Sequence, residues 1–540
     1  MTERMTEHDY VIVGAGSAGA VLAARLTESG RCSVLLLEAG GSDLRPWIQM
    51  PIGYGLTFQN PRYNWMYQAE ADPAIADRTT YVPRGKVLGG SSSINAMVYV
   101  RGQRSDFDDW AAAGNPGWSW REVLPYFMRS EDYALGATEA HGSGGPMHVA
   151  DAGDDVHPLC HTFIDACSGL GILRTRDFNG GELEGAGLWP VTIKAGIRVS
   201  TASAFLRPAG GRHNLVVRTH AHVTRVVIEA GEARGVEYLE HGERHAARAR
   251  REVILSAGAI NSPQLLQLSG VGDPALLAPL GIPLVRAAPA VGQGLQDHLA
   301  VSYFYRSRVP TLNNQLAPLW GRAWAGLRYV LTRRGPLAMS VNQAGAFLRS
   351  RPELPRPNLH LYFNPISYTT TVGPRRKLLK PDPYPAFLMS FNTCRPTSRG
   401  SVAIRSADPL APPVIRTNYL STPEDVADVY DGARALRRIA AAAPLAGVIE
   451  REYQPGPAVA SDADVLADFR ARAGSVYHAS CTCAMGADPT RSVVDPRLRV
   501  HGVGRLRVVD ASVFPSVTSG NTNAPTIMVA ERAADLIQND

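Results

Sequence analysis

Three glycines at Gly14, Gly16 and Gly19, with the acid Glu38 further on, have the spacing that holds a pyrophosphate and a ribose. Gly14 allows a tight turn, Gly16 lets the backbone approach phosphate oxygens, and Gly19 lets a helix lie close to a strand. The N-terminus of that helix offers free N–H groups to an anion, and Glu38 stands where a carboxylate accepts hydrogen bonds from both ribose hydroxyls. A second run, Arg84 to Val98 (RGKVLGGSSSINAMV), supplies backbone N–H groups and hydroxyls that can wrap another phosphate or a flat ring. Two late segments carry the remaining chemistry. His478 sits in VYHASCTCAMG, where an imidazole can serve as a base near neutral pH, and Asn523 sits in GNTNAPTIM, where an N-cap is the local reading. Cys481 and Cys483 follow His478 but lack a fourth ligand at zinc spacing, so no metal is expected.

The elements that must position these groups follow from periodicity. Tyr10 to Val13, a helix to about Ser29, and Ser33 to Leu37 make a βαβ unit around the glycines. Strand-like runs recur at Leu215 to Val217, Val223 to Ile228, Val253 to Ser256 and Leu506 to Val509. Their continuous apolar character suits buried strands of one doubly wound sheet assembled from distant stretches of chain. Gly258 to Gly272 (GAINSPQLLQLSGVG) reads as a helix with Ser262 as N-cap and Pro263 at its first position. Another long helix is expected over Pro525 to Ile537. The intervening stretches are rich in proline, with strand patterns at Asn358 to Phe363 and Ser401 to Arg405 and a helix at Pro423 to Ala443. They predict a second, mixed-sheet cap domain. The expected division is residues 1–143, 200–298 and 476–540 for the nucleotide domain, and 144–199 and 299–475 for the substrate domain.

Bulk properties set limits. A chain of 540 residues exceeds what one core usually supports, and an apolar fraction of 45% provides for two. The net charge of +6 is scattered. The basic tracts at 248–251 and 375–380 are short and not interleaved with aromatics, which argues against nucleic acid. No run is long and apolar enough for a membrane span, and the polar stub Thr2 to His8 leads directly into the first strand. Six cysteines in so long a chain do not make a disulfide framework, so a cytoplasmic protein is expected, at most peripheral to a membrane.

Taken together, the N-terminal fingerprint, GGSSSIN, GAINSPQLLQLSGVG, Gly292 to His298 (GQGLQDH) and the closing DAS and GNTNAPTIM segments resemble the glucose/methanol/choline (GMC) family of FAD-dependent alcohol oxidoreductases, nearly end to end. Within that family the sequence looks similar to bacterial choline dehydrogenases and aliphatic alcohol dehydrogenases. The resemblance implies a Rossmann-type FAD-binding domain and a substrate domain. It implies His478 as the base that takes the alcohol proton while hydride passes to flavin N5, and Asn523 as a donor to the developing alkoxide. FAD contacts are implied for Gly14, Gly16, Ser17, Ala18, Gly19, Glu38, Ala39, Arg84, Leu88, Gly89, Gly90 and Ser91. The same holds for Asn95, Ala96, Met97, Val98, Val223, Ala257, Gly258, Asp510, Ala511, Asn521 and Thr522.

Departures from the family pattern refine the expectation. Ile94 stands where some choline oxidases carry the histidine that attaches flavin, so FAD should be non-covalent. Gln343 stands where the choline branch has an acid, so cation recognition would rest on aromatic faces such as Trp65, Tyr362 or Tyr477. Ala479 replaces the proline that commonly follows the histidine. The expected reaction is oxidation of an uncharged primary alcohol to the aldehyde, with oxygen or a quinone as electron acceptor. Choline oxidation is the alternative, followed by a lyase or photodecarboxylase on the same fold.

Overall fold

The computed structural model describes residues 6–151, 153–369 and 380–540. Of the basic tract at 375–380 only Lys380 lies within them, and of the stub at 2–8 only residues 6–8. β1 (Thr6–Val13), α1 (Ser17–Thr27) and β2 (Val34–Glu38) follow one another around the glycine turn. Next come α2 (Trp120–Ser130), β3 (Gly185–Leu188), β4 (Leu215–Thr219), β5 (Ala221–Glu229), β6 (Glu232–Glu240), β7 (Glu243–Leu255) and α3 (Gly258–Leu268). β8 (Leu299–Ser307), α4 (Leu319–Thr332), β9 (Ala344–Leu348), β10 (Leu359–Asn364) and β11 (Ala386–Thr393) precede α5 (Pro423–Ala441). β12 (Ile449–Gln454), β13 (Gly474–Ser475), β14 (Leu506–Val508) and α6 (Asn523–Gln538) complete the set used below.

Two large sheets result. The first has the order β4-β2-β1-β7-β6-β5, with β14 alongside β7. β4, β2, β1, β7 and β14 run parallel, and β5 and β6 form an antiparallel extension. The long β7 serves twice, pairing with β6 through its first half and with β14 through Val253 to Leu255. Val11, Ile12, Leu36 and Ile254 are fully buried, which is why these strands read as unbroken apolar runs. The second sheet has the order β12-β8-β11-β10-β9-β3, with β13 alongside β8, and its pairings are antiparallel throughout.

Small residues set the approach of helix to sheet. A Cβ on Gly19 would overlap the Gly14 carbonyl, and one on Gly432 of α5 would overlap the ring of Phe391 on β11. α6 is held to α1 and α2 by the fully buried Glu531. Its carboxylate accepts from Arg25 Nε (2.9 Å) and Nη2 (2.8 Å) and from Arg129 Nε (2.8 Å).

Two capping expectations are corrected. α3 begins at Gly258 with Ala257 as N-cap, and Pro263 lies inside it. The Ala259 carbonyl, which a proline cannot serve, accepts instead from Thr482 Oγ1 (2.6 Å). Ser262 Oγ donates to Asp510 (2.6 Å) and accepts from the Ala257 N–H (3.1 Å), so it ties α3 to the chain after β14. Asn523 is the first residue of α6, and Thr522 is the N-cap.

Candidate active site

A cavity of about 2390 Å³, counting its open mouth, is walled by residues of both sheets. The residues expected at a site all line it except Gly19, Leu88, Gly89 and Gln343. Gly19 lies beneath the first turn. Gly89, at φ +83°, donates its N–H to Ala15 O (2.8 Å), and the Leu88 N–H donates to Gly41 O (3.0 Å). These bonds fasten the second glycine run to the first. Gln343 is turned away from the cavity, and its Oε1 accepts from the His157 N–H (2.9 Å). It neither lines the cavity nor carries charge.

At the glycine end the backbone itself forms the wall. Gly90 adopts φ +53°, and a Cβ there would come within 2.7 Å of Gly16 Cα, so the second turn cannot carry a side chain at this position. The Glu38 carboxylate accepts from the Ala15 N–H (3.0 Å) and the Gly40 N–H (2.8 Å). Burial nevertheless pushes this carboxyl up to about 7, against the opposing effect of those two donors. The Asp510 carboxylate accepts from the N–H groups of Gly258 (2.8 Å) and Ser512 (2.8 Å), and burial raises its pKa. Ser17 Oγ donates to Asn523 Oδ1 (2.7 Å), so Asn523 serves the glycine turn.

Elsewhere on the wall the carboxamide that meets the imidazole belongs to Asn521. Asn521 Nδ2 lies 3.1 Å from His478 Nε2, which corrects the expectation for Asn523. His478 Nδ1 lies 2.8 Å from His298 Nδ1, and His298 Nε2 lies 2.9 Å from the Cys394 carbonyl. The bonding order fixes the tautomers. A carbonyl only accepts, so His298 carries its proton on Nε2 and its Nδ1 must accept. His478 therefore donates from Nδ1, and its Nε2 keeps a lone pair, to which Asn521 donates. Burial holds His478 neutral well below the ordinary histidine range, with His298, His360 and Arg84 adding to the effect. The His478 main-chain N–H donates to Asp297 Oδ1 (2.7 Å), whose other oxygen accepts from Tyr419 Oη (2.8 Å) and from Ser475 Oγ. Arg84 Nη2 donates to the Tyr477 carbonyl (2.7 Å), fixing the peptide just before the imidazole.

The aromatics divide. Tyr362 Oη meets His360 Nδ1 (3.2 Å), and Tyr477 packs edge-on against Phe58 (5.4 Å). Trp65 stacks on Tyr67 (5.8 Å) and already has the Lys86 ammonium 4.6 Å from its ring. Cys481 and Cys483 are buried, and among the described residues no group of ligands could hold a metal.

Two models described as GMC oxidoreductase match residues 8–300 and 396–530. The chain belongs to the GMC oxidoreductase family. It is 45% identical to a mitochondrial choline dehydrogenase of Mus musculus, covering 98% of this chain and 89% of the relative. It is 44% identical to an oxygen-dependent choline dehydrogenase of Vibrio vulnificus (99% and 95% covered). Identity to an alcohol dehydrogenase [acceptor] of Pseudomonas putida is 42% (98% and 95% covered). Among solved structures, pyridoxine 4-oxidase from Mesorbium loti superposes with a TM-score of 0.88 at 32% identity, covering 98% of this chain and 99% of the other. Formate oxidase superposes at 0.92 with 27% identity, covering 100% and 99%.

FAD is the cofactor of this GMC oxidoreductase, and the cavity fits it. Gly90 faces Gly16 across a slot that a Cβ on Gly90 would fill, the turn before α1 lies on the wall, and Glu38 closes β2. His298, His360 and Asp297 had no assigned role in the sequence reading. His298 closes the GQGLQDH segment, and a histidine ending a motif was the available signal.

Proposed function

We propose that the protein oxidises an uncharged primary alcohol to its aldehyde, with His478 Nε2 taking the hydroxyl proton. The observation that supports this most directly is the relay from the Cys394 carbonyl through His298 to His478, which leaves an unprotonated nitrogen on the cavity wall. The alcohol hydroxyl takes the place of the Asn521 amide at the Nε2 lone pair, and the released Asn521 N–H donates to the alcohol oxygen as it becomes an alkoxide. Bound FAD would accept the hydride that leaves the carbinol carbon. Ile94, buried where a covalent link would form, offers no nucleophile, so attachment is non-covalent.

The alcohol dehydrogenase [acceptor] among the relatives fits this reading, and so does the wall. Among the described residues its only carboxylates are Glu38 and Asp510, both engaged by backbone N–H groups. The choline dehydrogenases among the relatives favour a second reading, oxidation of choline, in which Tyr362 and Tyr477 face the ammonium. We read the first sheet with its helices as the FAD half, spanning 1–143, 200–298 and 476–540. The second sheet belongs to a substrate half at 144–199 and 299–475. Oxygen or a quinone is the proposed electron acceptor. All six cysteines are free thiols, which supports a reducing compartment.

Anaerobic mixing of the holoprotein with a panel of alcohols tests the proposal. Uncharged primary alcohols should bleach the flavin absorbance faster than choline at equal concentration. Bleaching by choline alone would decide for the second reading, and a spectrum that stays oxidised with every alcohol would refute both.

A further inference from the structure

α4 presents an apolar face to solvent. Leu319, Trp320, Trp324, Leu327, Val330 and Leu331 are between 49% and 79% exposed. At about 100° per residue they occupy one arc of roughly 140°, a continuous stripe rather than scattered side chains. The opposite side, with Gly321, Ala325 and Tyr329, is buried. Ala325 packs in a cluster with Tyr54, Phe58 and Val341, and those three also line the cavity. The buried side of α4 therefore belongs to the same apolar cluster as part of the cavity wall. The helix is too short and too charged to cross a membrane.

Charge identifies the occupant. Arg322, Arg328, Arg333 and Arg334 border the stripe and are exposed, and the sequence contains no Asp or Glu between Asp297 and Glu353. Amphipathic helices with tryptophan and leucine on one face and arginines on its flanks lie in the plane of a bilayer interface, apolar face down. The indole rings suit the headgroup level. A second copy of this chain would bring the same arginines against themselves, whereas anionic headgroups match them.

We propose that α4 docks the protein onto an anionic phospholipid surface, as a peripheral contact that sets the cavity beside the bilayer. The holoprotein is mixed with vesicles of phosphatidylcholine, with or without phosphatidylglycerol, and sedimented. It should pellet with the anionic vesicles, less with phosphatidylcholine alone, and less as salt is raised. Arg322→Gln/Arg334→Gln should lower the partition coefficient at least about tenfold, since each arginine near an anionic surface contributes about fivefold. Trp320→Gln/Trp324→Gln should do the same through lost apolar contact. Both variants should keep their flavin spectrum and their turnover with a water-soluble dye as acceptor. Protein that stays in the supernatant with both vesicle types overturns the proposal, as does undiminished pelleting of both variants. Vesicle-independent dimerisation that the same substitutions abolish would assign the face to a second copy instead.

Discussion

The chemistry of one imidazole depends on a neighbour that never faces substrate. His298 accepts from His478 Nδ1 only because its own Nε2 proton is committed to Cys394, so the second histidine decides which nitrogen of the first is basic. His478→Ala should lower kcat by about 10²- to 10⁴-fold with flavin content unchanged, measured as the rate of anaerobic flavin reduction. His298→Leu removes the acceptor without touching the cavity wall. A kcat reduced roughly 10²-fold at unchanged flavin content is expected, by analogy with other imidazoles left in the wrong tautomer. Wild-type turnover with His298→Leu would show that the tautomer is set elsewhere. At the same scale, Asn521 and Asn523 differ only by two positions yet serve opposite partners, His478 and Ser17.

The elements bring these groups together through contacts that small or charged residues make possible. Gly90→Ala combines a φ of +53° with a Cβ 2.7 Å from Gly16 Cα, so the slot between the two glycine turns would close or shift. The purified variant should carry little or no FAD, read as the ratio of visible flavin absorbance to protein absorbance. α6 contributes its first turn to the cavity, and its position relies on Glu531, whose buried carboxylate bridges Arg25 and Arg129. Glu531→Ala removes the fully buried carboxylate, leaving Arg129 with Asp535 (2.8 Å) and Arg25 with Glu28 (3.5 Å). A loss of about 1.5–3 kcal/mol is expected from chemical denaturation, with α1 and α2 loosened together.

Across the whole molecule, three buried histidines gather at strands of the second sheet. His298 immediately precedes β8, His360 lies on β10, and His478 follows β13, and burial lowers the pKa of each. The unfolded chain binds protons near pH 6.5, whereas these imidazoles in the fold do not. Stability is therefore fully present above pH 6.5 and falls as pH drops below it, by about 1.4 kcal/mol per pH unit for each imidazole still neutral in the fold. Urea midpoints measured from pH 8 down to pH 5 should fall steeply below pH 6.5. The His360→Phe variant should show a shallower slope, and an unchanged slope would remove His360 from the account. The same depressed pKa of His478 predicts that kcat/KM reaches its plateau below pH 6.5, with loss of rate only on further acidification.

Local rules carried the βαβ unit, the glycine turns and Glu38, because each depends on backbone freedom or strand periodicity within a few residues, whereas His478 stood out only through the family resemblance. They also placed the first sheet in distant stretches of chain, since doubly buried strands announce themselves as unbroken apolar runs. They failed where direction matters more than type. Two asparagines at a helix start look alike in sequence, and only the path of the chain through Thr522 aims one at the imidazole and the other at Ser17. Ser262 looked like a helix cap, but its hydroxyl is claimed by Asp510, 248 residues away. Gln343 was expected in the pocket and points behind it. The partnership of His298 with His478 spans 180 residues, so no local pattern encodes it, and the pairing of β8 with β13 inside the second sheet, continued by the Val476 N–H donating to the His298 carbonyl (3.0 Å), brings the rings within hydrogen-bonding distance.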